Sequence, residues 1–89
     1  MLCAVICRDK PGHLQIRKDN RDSHLAYLKS SGVVAMAGPL IENGDMTGSL
    51  IVLDVPDLAA AETWASADPY KAAGLFDSVT LIEWKKVIG

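Results

Sequence analysis

The chain has 89 residues and a formal net charge of −2, so it reads as one small domain over residues 1–89, near the size at which a monomer core barely suffices. That charge lacks the basic footprint of a nucleic-acid binder, and the chain offers no polybasic face to a membrane. Apolar residues make up 49% and aromatics only 6%, which predicts an aliphatic, alanine-rich core and an apolar surplus best buried against a second copy.

Leu2 to Cys7 is a continuous apolar run, read as a strand wet on neither face. It is too short for a signal peptide and lacks a basic start, and no run approaches the roughly 20 apolar residues that span a bilayer. The cytoplasm is the expected location. Cys3 and Cys7 on one strand stand about 13 Å apart, too far for a disulfide. With His13 and His24 dispersed as they are, the two thiols make no zinc site, and both read as small core residues.

Pro11-Gly12 marks a turn, and Leu14 to Ser31 follows a helical pattern whose polar stretch, Lys18 to Ser23, can hold a break. Leu14, Arg21, Leu25 and Leu28 share one face, with Arg17 and His24 beside it, and Gly32 is suited to end the helix. Val33 to Ala37 reads as a second strand leading into Gly38-Pro39-Leu40-Ile41. The Asn43-Gly44 step signals a hairpin, and Gly48 to Val55 forms the third strand. Asp57 caps a second helix, whose small-residue face is Leu58, Ala61 and Ala65, with Trp64 at its flank. That helix stops at Asp68, because the residue before Pro69 is pushed out of the helical region. Pro69 suits the first position of a new, short helix that Gly74 closes, and Leu75 to Val87 is the last strand.

The order β-α-β-β-α-β, with right-handed crossovers, gives an α+β ferredoxin-like antiparallel sheet with both helices on one face. The other face should then alternate polar and apolar residues, yet strands one and three are apolar throughout. No element remains to cover them. A homodimer packed sheet against sheet is expected, with further assembly possible.

Histidine is the side chain most easily poised as a base near neutral pH. His13, beside the turn, carries no assigned role. His24 borders the buried face of the first helix, in a stripe with Arg21 and Leu28. An aspartate on one ring nitrogen would fix the tautomer and stabilise the imidazolium, and Asp68 lies where it can reach His24 or simply cap the turn after it. Arg21 can fix a carboxylate or phenolate, or pair with Asp22. Tyr70 can donate a hydrogen bond into the same space or pack on Trp64. Ser23, Ser49 and Ser66 show no nucleophile-elbow pattern, and Gly38-Pro39-Leu40 is not a phosphate loop.

Several blocks resemble the YciI-like family (the YCII-related domain): Arg21-Asp22-Ser23-His24-Leu25, Ala37-Gly38-Pro39, Thr47-Gly48-Ser49, Trp64-Ala65-Ser66-Ala67-Asp68-Pro69-Tyr70 with Ala73-Gly74, and Trp84-Lys85-Lys86-Val87. Each is weak alone; five in this order are specific. The resemblance implies a dimeric α+β barrel of ferredoxin-like subunits and a pocket holding His24 and Asp68. Arg21, Tyr70, Gly38, Pro39 and Ser49, from the same blocks, are the candidate substrate-binding residues. A relative removes chloride from a chlorinated hydroxyhydroquinone, and the barrel is similar to that of muconolactone isomerases. The expected function is therefore proton transfer on a small cyclic or phenolic acid by a lyase or isomerase needing no metal and no cofactor. The alternatives are a small-molecule-binding or assembly module on the same dimeric fold, and a cofactor-free monooxygenase.

Overall fold

The computed structural model describes residues 1–89. In chain order the elements are β1 (Leu2–Asp9), α1 (Leu14–Asp19), α2 (Arg21–Ser31), β2 (Val34–Glu42), β3 (Asp45–Asp54), α3 (Leu58–Ser66), α4 (Pro69–Ala72) and β4 (Phe76–Trp84). The strands form one antiparallel sheet in the order β2-β3-β1-β4, the ferredoxin-like arrangement.

The breaks fall where local chemistry puts them. The first helical stretch divides at Asn20, whose backbone leaves helical geometry and whose side-chain amide donates to the Ile16 carbonyl at 2.9 Å. An asparagine that bonds back onto its own helix competes with the backbone ladder. Gly32 ends α2 in the left-handed region at φ 72°, and Asn43 and Gly44 take φ 50° and 82° in the β2–β3 turn, the pair of positive values that a tight hairpin requires. Asp57 caps α3 by accepting from the Ala60 N–H at 2.8 Å. Pro39 sits in β2, an edge strand, where a missing N–H is tolerated.

Two boundaries and one helix face differ from the sequence reading. β3 begins at Asp45 because the two-residue turn lets pairing start at once. β4 stops at Trp84, and Leu75 precedes it as a buried plug. On α3 the buried residues are Ala61, Trp64 and Ala65, while Leu58 is exposed; Trp64 belongs to the core because its indole N–H reaches Ser31 Oγ at 3.0 Å.

One sheet face carries the helices. Cys3, Val5, Cys7, Ile51 and Leu53 point into that layer and meet Leu28, Ala61, Trp64 and Ala65. Both cysteines are buried and free, and burial pushes the Cys7 thiol up to about 12, so it is inert near neutrality. Gly48 is required by close approach: a Cβ there would collide with the Cys7 carbonyl oxygen on the neighbouring strand. Gly48→Ala is expected to cost roughly 1–3 kcal/mol, the scale of an overpacked core, read as a lower urea midpoint at unchanged slope.

The opposite face is bare. Leu50, Ile82, Met36 and Trp84 are 41%, 55%, 51% and 39% exposed. The register places Leu50 opposite Ile6 and Ile82 opposite Ala4, so these side chains form a continuous apolar surface across the sheet. No helix of the structure is long and apolar enough to cross a membrane.

Candidate active site

The end of α3 and the start of α4 put one carboxylate in a position to do two things. Asp68, 2% exposed, has extended backbone that starts α4, and its Oδ1 accepts the Tyr70 N–H at 2.9 Å. The same oxygen lies 2.8 Å from His24 Nδ1. A carboxylate already accepting from a backbone amide can only accept again, so Nδ1 carries a proton, and in the neutral ring Nε2 presents its lone pair. Capping and pairing, which compete in the sequence, are both made here.

His24 does more than border the buried face: it is 5% exposed. Its ring stacks on Tyr70 with centroids 3.9 Å apart and an interplanar angle of 14°. Tyr70 is thus packed on His24 and, edge-on, on Phe76; Trp64 packs on Tyr27 instead. Burial raises the Tyr70 phenol above its ordinary value, against the pull of Arg17 and Arg21, so it stays protonated near neutrality and can donate.

Arg17, which the sequence alone assigns no role, is the further functional residue of the site. It is 2% exposed. Nε and Nη2 donate to Asp9 Oδ2 and Oδ1 at 2.7 and 2.8 Å, Nη2 also donates to Ser49 Oγ at 3.0 Å, and the guanidinium lies 4.6 Å from the Tyr70 ring centroid. Burial works against its charge, but the Asp9 and Tyr70 contacts more than offset this and raise its pKa. Spacing carries the signal: read as one unbroken helix, Arg17, His24 and Leu28 fall at i, i+7 and i+11 on one face, and although the chain breaks at Asn20 these are the residues that α1 and α2 bury. Arg21, on the intended face, is exposed at the rim and makes no ion pair, with Asp22 or any other carboxylate.

These groups line one cavity of about 150 Å³. Arg17, Arg21, His24, Ser49 and Tyr70 supply its polar wall. Leu25, Leu28, Ala37, Pro39, Met46 and Ile51 supply the apolar wall, with Gly38 between Ala37 and Pro39. An apolar cavity of roughly this volume accommodates a benzene-sized ring. Asp68 stands behind His24 and does not line the space. His13 lies away from it, bonded through Nδ1 to the Pro11 carbonyl at 3.0 Å. No group of three or more His, Cys, Asp or Glu side chains is arranged to hold a metal ion.

The model of the YCII-related domain matches residues 1–85. This chain belongs to the YCII-related domain family. Protein YciI of Escherichia coli is 36% identical, in an alignment covering 98% of this chain and 99% of the relative. An uncharacterized Haemophilus influenzae protein is 32% identical over the same shares. Among solved structures, 5-chloro-2-hydroxyhydroquinone dehydrochlorinase from Burkholderia phenoliruptrix, in complex with 2,5-dihydroxybenzoquinone, superposes with a TM-score of 0.90 at 34% identity, covering 96% of this chain and 94% of its own. An antibiotic biosynthesis monooxygenase is similar at a TM-score of 0.62 and 13% identity, covering 99% and 100%, and shares the fold. The YCII-related sheet and helices of this chain are therefore a known ferredoxin-like frame, and the similarity to the dehydrochlorinase supports a small enzyme built on it.

Proposed function

We propose that this protein is a cytoplasmic lyase or isomerase, independent of metal and cofactor, that moves a proton on a small cyclic or phenolic acid. The observation that carries the reading is the buried His24–Asp68 contact at 2.8 Å behind a ring-sized cavity. His24 Nε2 takes the proton, Asp68 holds the ring in the one useful tautomer, and Tyr70 supports its face and donates a hydrogen bond. Arg21, an unpaired cation at the rim, holds the acidic group of the substrate. Gly38, Pro39 and Ser49 shape the wall opposite the helices. The dehydrochlorinase, 34% identical and seen with a dihydroxybenzoquinone, supports an oxygenated six-membered ring as the substrate class.

The functional unit in this proposal is a homodimer packed through the bare sheet faces, whose exposed Leu50, Ile82, Met36 and Trp84 are otherwise an aggregation liability.

The test is to offer the protein 5-chloro-2-hydroxyhydroquinone and a set of phenolic and lactone acids. Chloride release is followed in the first case, and uptake of solvent deuterium at ring carbon by NMR in the others. Turnover is expected with at least one, and His24→Ala is expected to lower it by roughly 10²–10⁴, the usual contribution of a general base. Full turnover in His24→Ala would sink the mechanism.

A further inference from the structure

Two hydrogen-bond donors at the floor of the cavity are left over by the contacts described above. Arg17 spends Nε and Nη2 on Asp9 and Ser49; its third nitrogen, Nη1, donates to no carboxylate or carbonyl, and the one other group the guanidinium interacts with is the Tyr70 side chain, itself part of the cavity wall. Ser49 Oγ, on a residue 2% exposed, accepts from Arg17 and gives its own proton to no protein group. Both residues line the cavity, and since no fully buried side-chain nitrogen or oxygen lacks a partner, Nη1 is not sealed in the core. His24 Nε2 is free in the same way.

The directions are complementary. Asp9 fixes the guanidinium plane, Arg17 takes the acceptor side of Ser49, and both are thereby oriented as donors. Across the space His24 is held as an acceptor. A site with a base on one side and two preorganised donors on the other is built for a group that loses a proton at one atom and gains negative charge at another. We propose that Arg17 and Ser49 form an oxyanion site that binds the enolate or phenolate oxygen of the ligand, a role separate from the acid held by Arg21. This rests on the proton-transfer reading above and names where the charge goes.

In that step the ligand's proton passes to His24 Nε2, and the electron pair of the broken bond moves through the ring onto the oxygen facing Arg17 and Ser49. In an isomerisation the pair returns to a different carbon, which takes the proton back from His24. In an elimination the returning pair expels a leaving group, which departs with the electrons of its own bond, and the proton leaves His24 for water. No oxidant or reductant is involved. The charged groups around the site are Arg17, Arg21, Asp9 and Asp68; Asp9 and Asp68 are each tied to a cationic or N–H partner, and neither carboxylate lines the cavity.

The probe is 4-nitrophenol, whose phenolate absorbs in the visible and which carries no carboxylate for Arg21. Wild-type protein is expected to bind the phenolate in preference to the phenol, so the bound probe ionises at lower pH than the free one. Ser49→Ala should reduce that preference by roughly tenfold, the value of one hydrogen bond to a charged group. The double variant Asp9→Asn/Arg17→Met removes the buried pair together and avoids an orphaned carboxylate; it should abolish the preference. A merely structural role would lower the melting temperature and leave the spectrum of bound probe unchanged. The inference is overturned if wild type shows no preference, if both variants keep it, or if Arg21→Gln alone removes it. His24→Ala should retain it, so a failed base and a failed oxyanion site give different results.

Discussion

Asp68→Asn is expected to leave the protein folded and to lower turnover by roughly 10²–10⁴. Both halves follow from Oδ1. An asparagine oxygen can still accept the Tyr70 N–H, so the cap of α4 survives and the loss of stability should stay near 1–2 kcal/mol. What the amide cannot do is reproduce a carboxylate that only accepts. With its oxygen on Tyr70, its NH₂ faces His24, and the imidazole must then present Nδ1 as the acceptor and turn a protonated Nε2 to the cavity. The base is inverted into a donor while the ring stays stacked on Tyr70. Asp68→Ala provides the contrast. It removes cap and partner together from a site 2% exposed, leaving a buried amide and a buried imidazole unpaired at about 1–3 kcal/mol each. Urea titration and solvent-deuterium exchange on the same two variants separate the roles. If Asp68→Asn keeps wild-type turnover, tautomer control is not what Asp68 supplies.

Leu50→Glu/Ile82→Glu is expected to convert a dimer into a folded monomer. Both positions are exposed on the open sheet face, so the charges cost the isolated protomer little. A two-fold interface repeats every substitution, and four carboxylates would have to be desolvated between the sheets at several kcal/mol per ion. Association should weaken by at least roughly a thousandfold, about 4 kcal/mol. Light scattering across a concentration series reads the mass, and circular dichroism checks the fold. A wild-type protein that remains a monomer at high concentration, or a variant that remains a dimer, would remove the sheet-to-sheet assembly from the proposal.

Much of the architecture is legible because it is local. Asn43-Gly44 forces its turn, Gly32 its helix end, and the residue before Pro69 must leave the helix whatever packs around it. The apolar runs of β1 and β3 are visible without alternation, which is why the bare face can be foreseen. The site is less legible because its contacts are long-range. His24 and Asp68 are 44 positions apart, and only the topology brings the first turn of α2 to the start of α4. Arg17 shows the limit most plainly. A charged residue on a helix reads as solvated, since burying one without a partner is prohibitive, and its partner Asp9 sits at the end of a strand where an acid reads as a terminator. Neither residue announces the other. The same blindness affects Tyr70, whose neighbours are set by the direction in which α4 leaves Asp68 and not by the adjacent Trp64.

The two-residue turn between β2 and β3 has a practical meaning for engineering. It stands at the far end of a hairpin that lends Pro39, Met46 and Ser49 to the cavity wall, whereas His24 and Asp68 hang from helices on separate connections. Segments grafted at Asn43-Gly44 would alter the roof over a bound molecule without moving the proton-handling pair, which makes this loop the natural place to redirect the scaffold toward bulkier compounds.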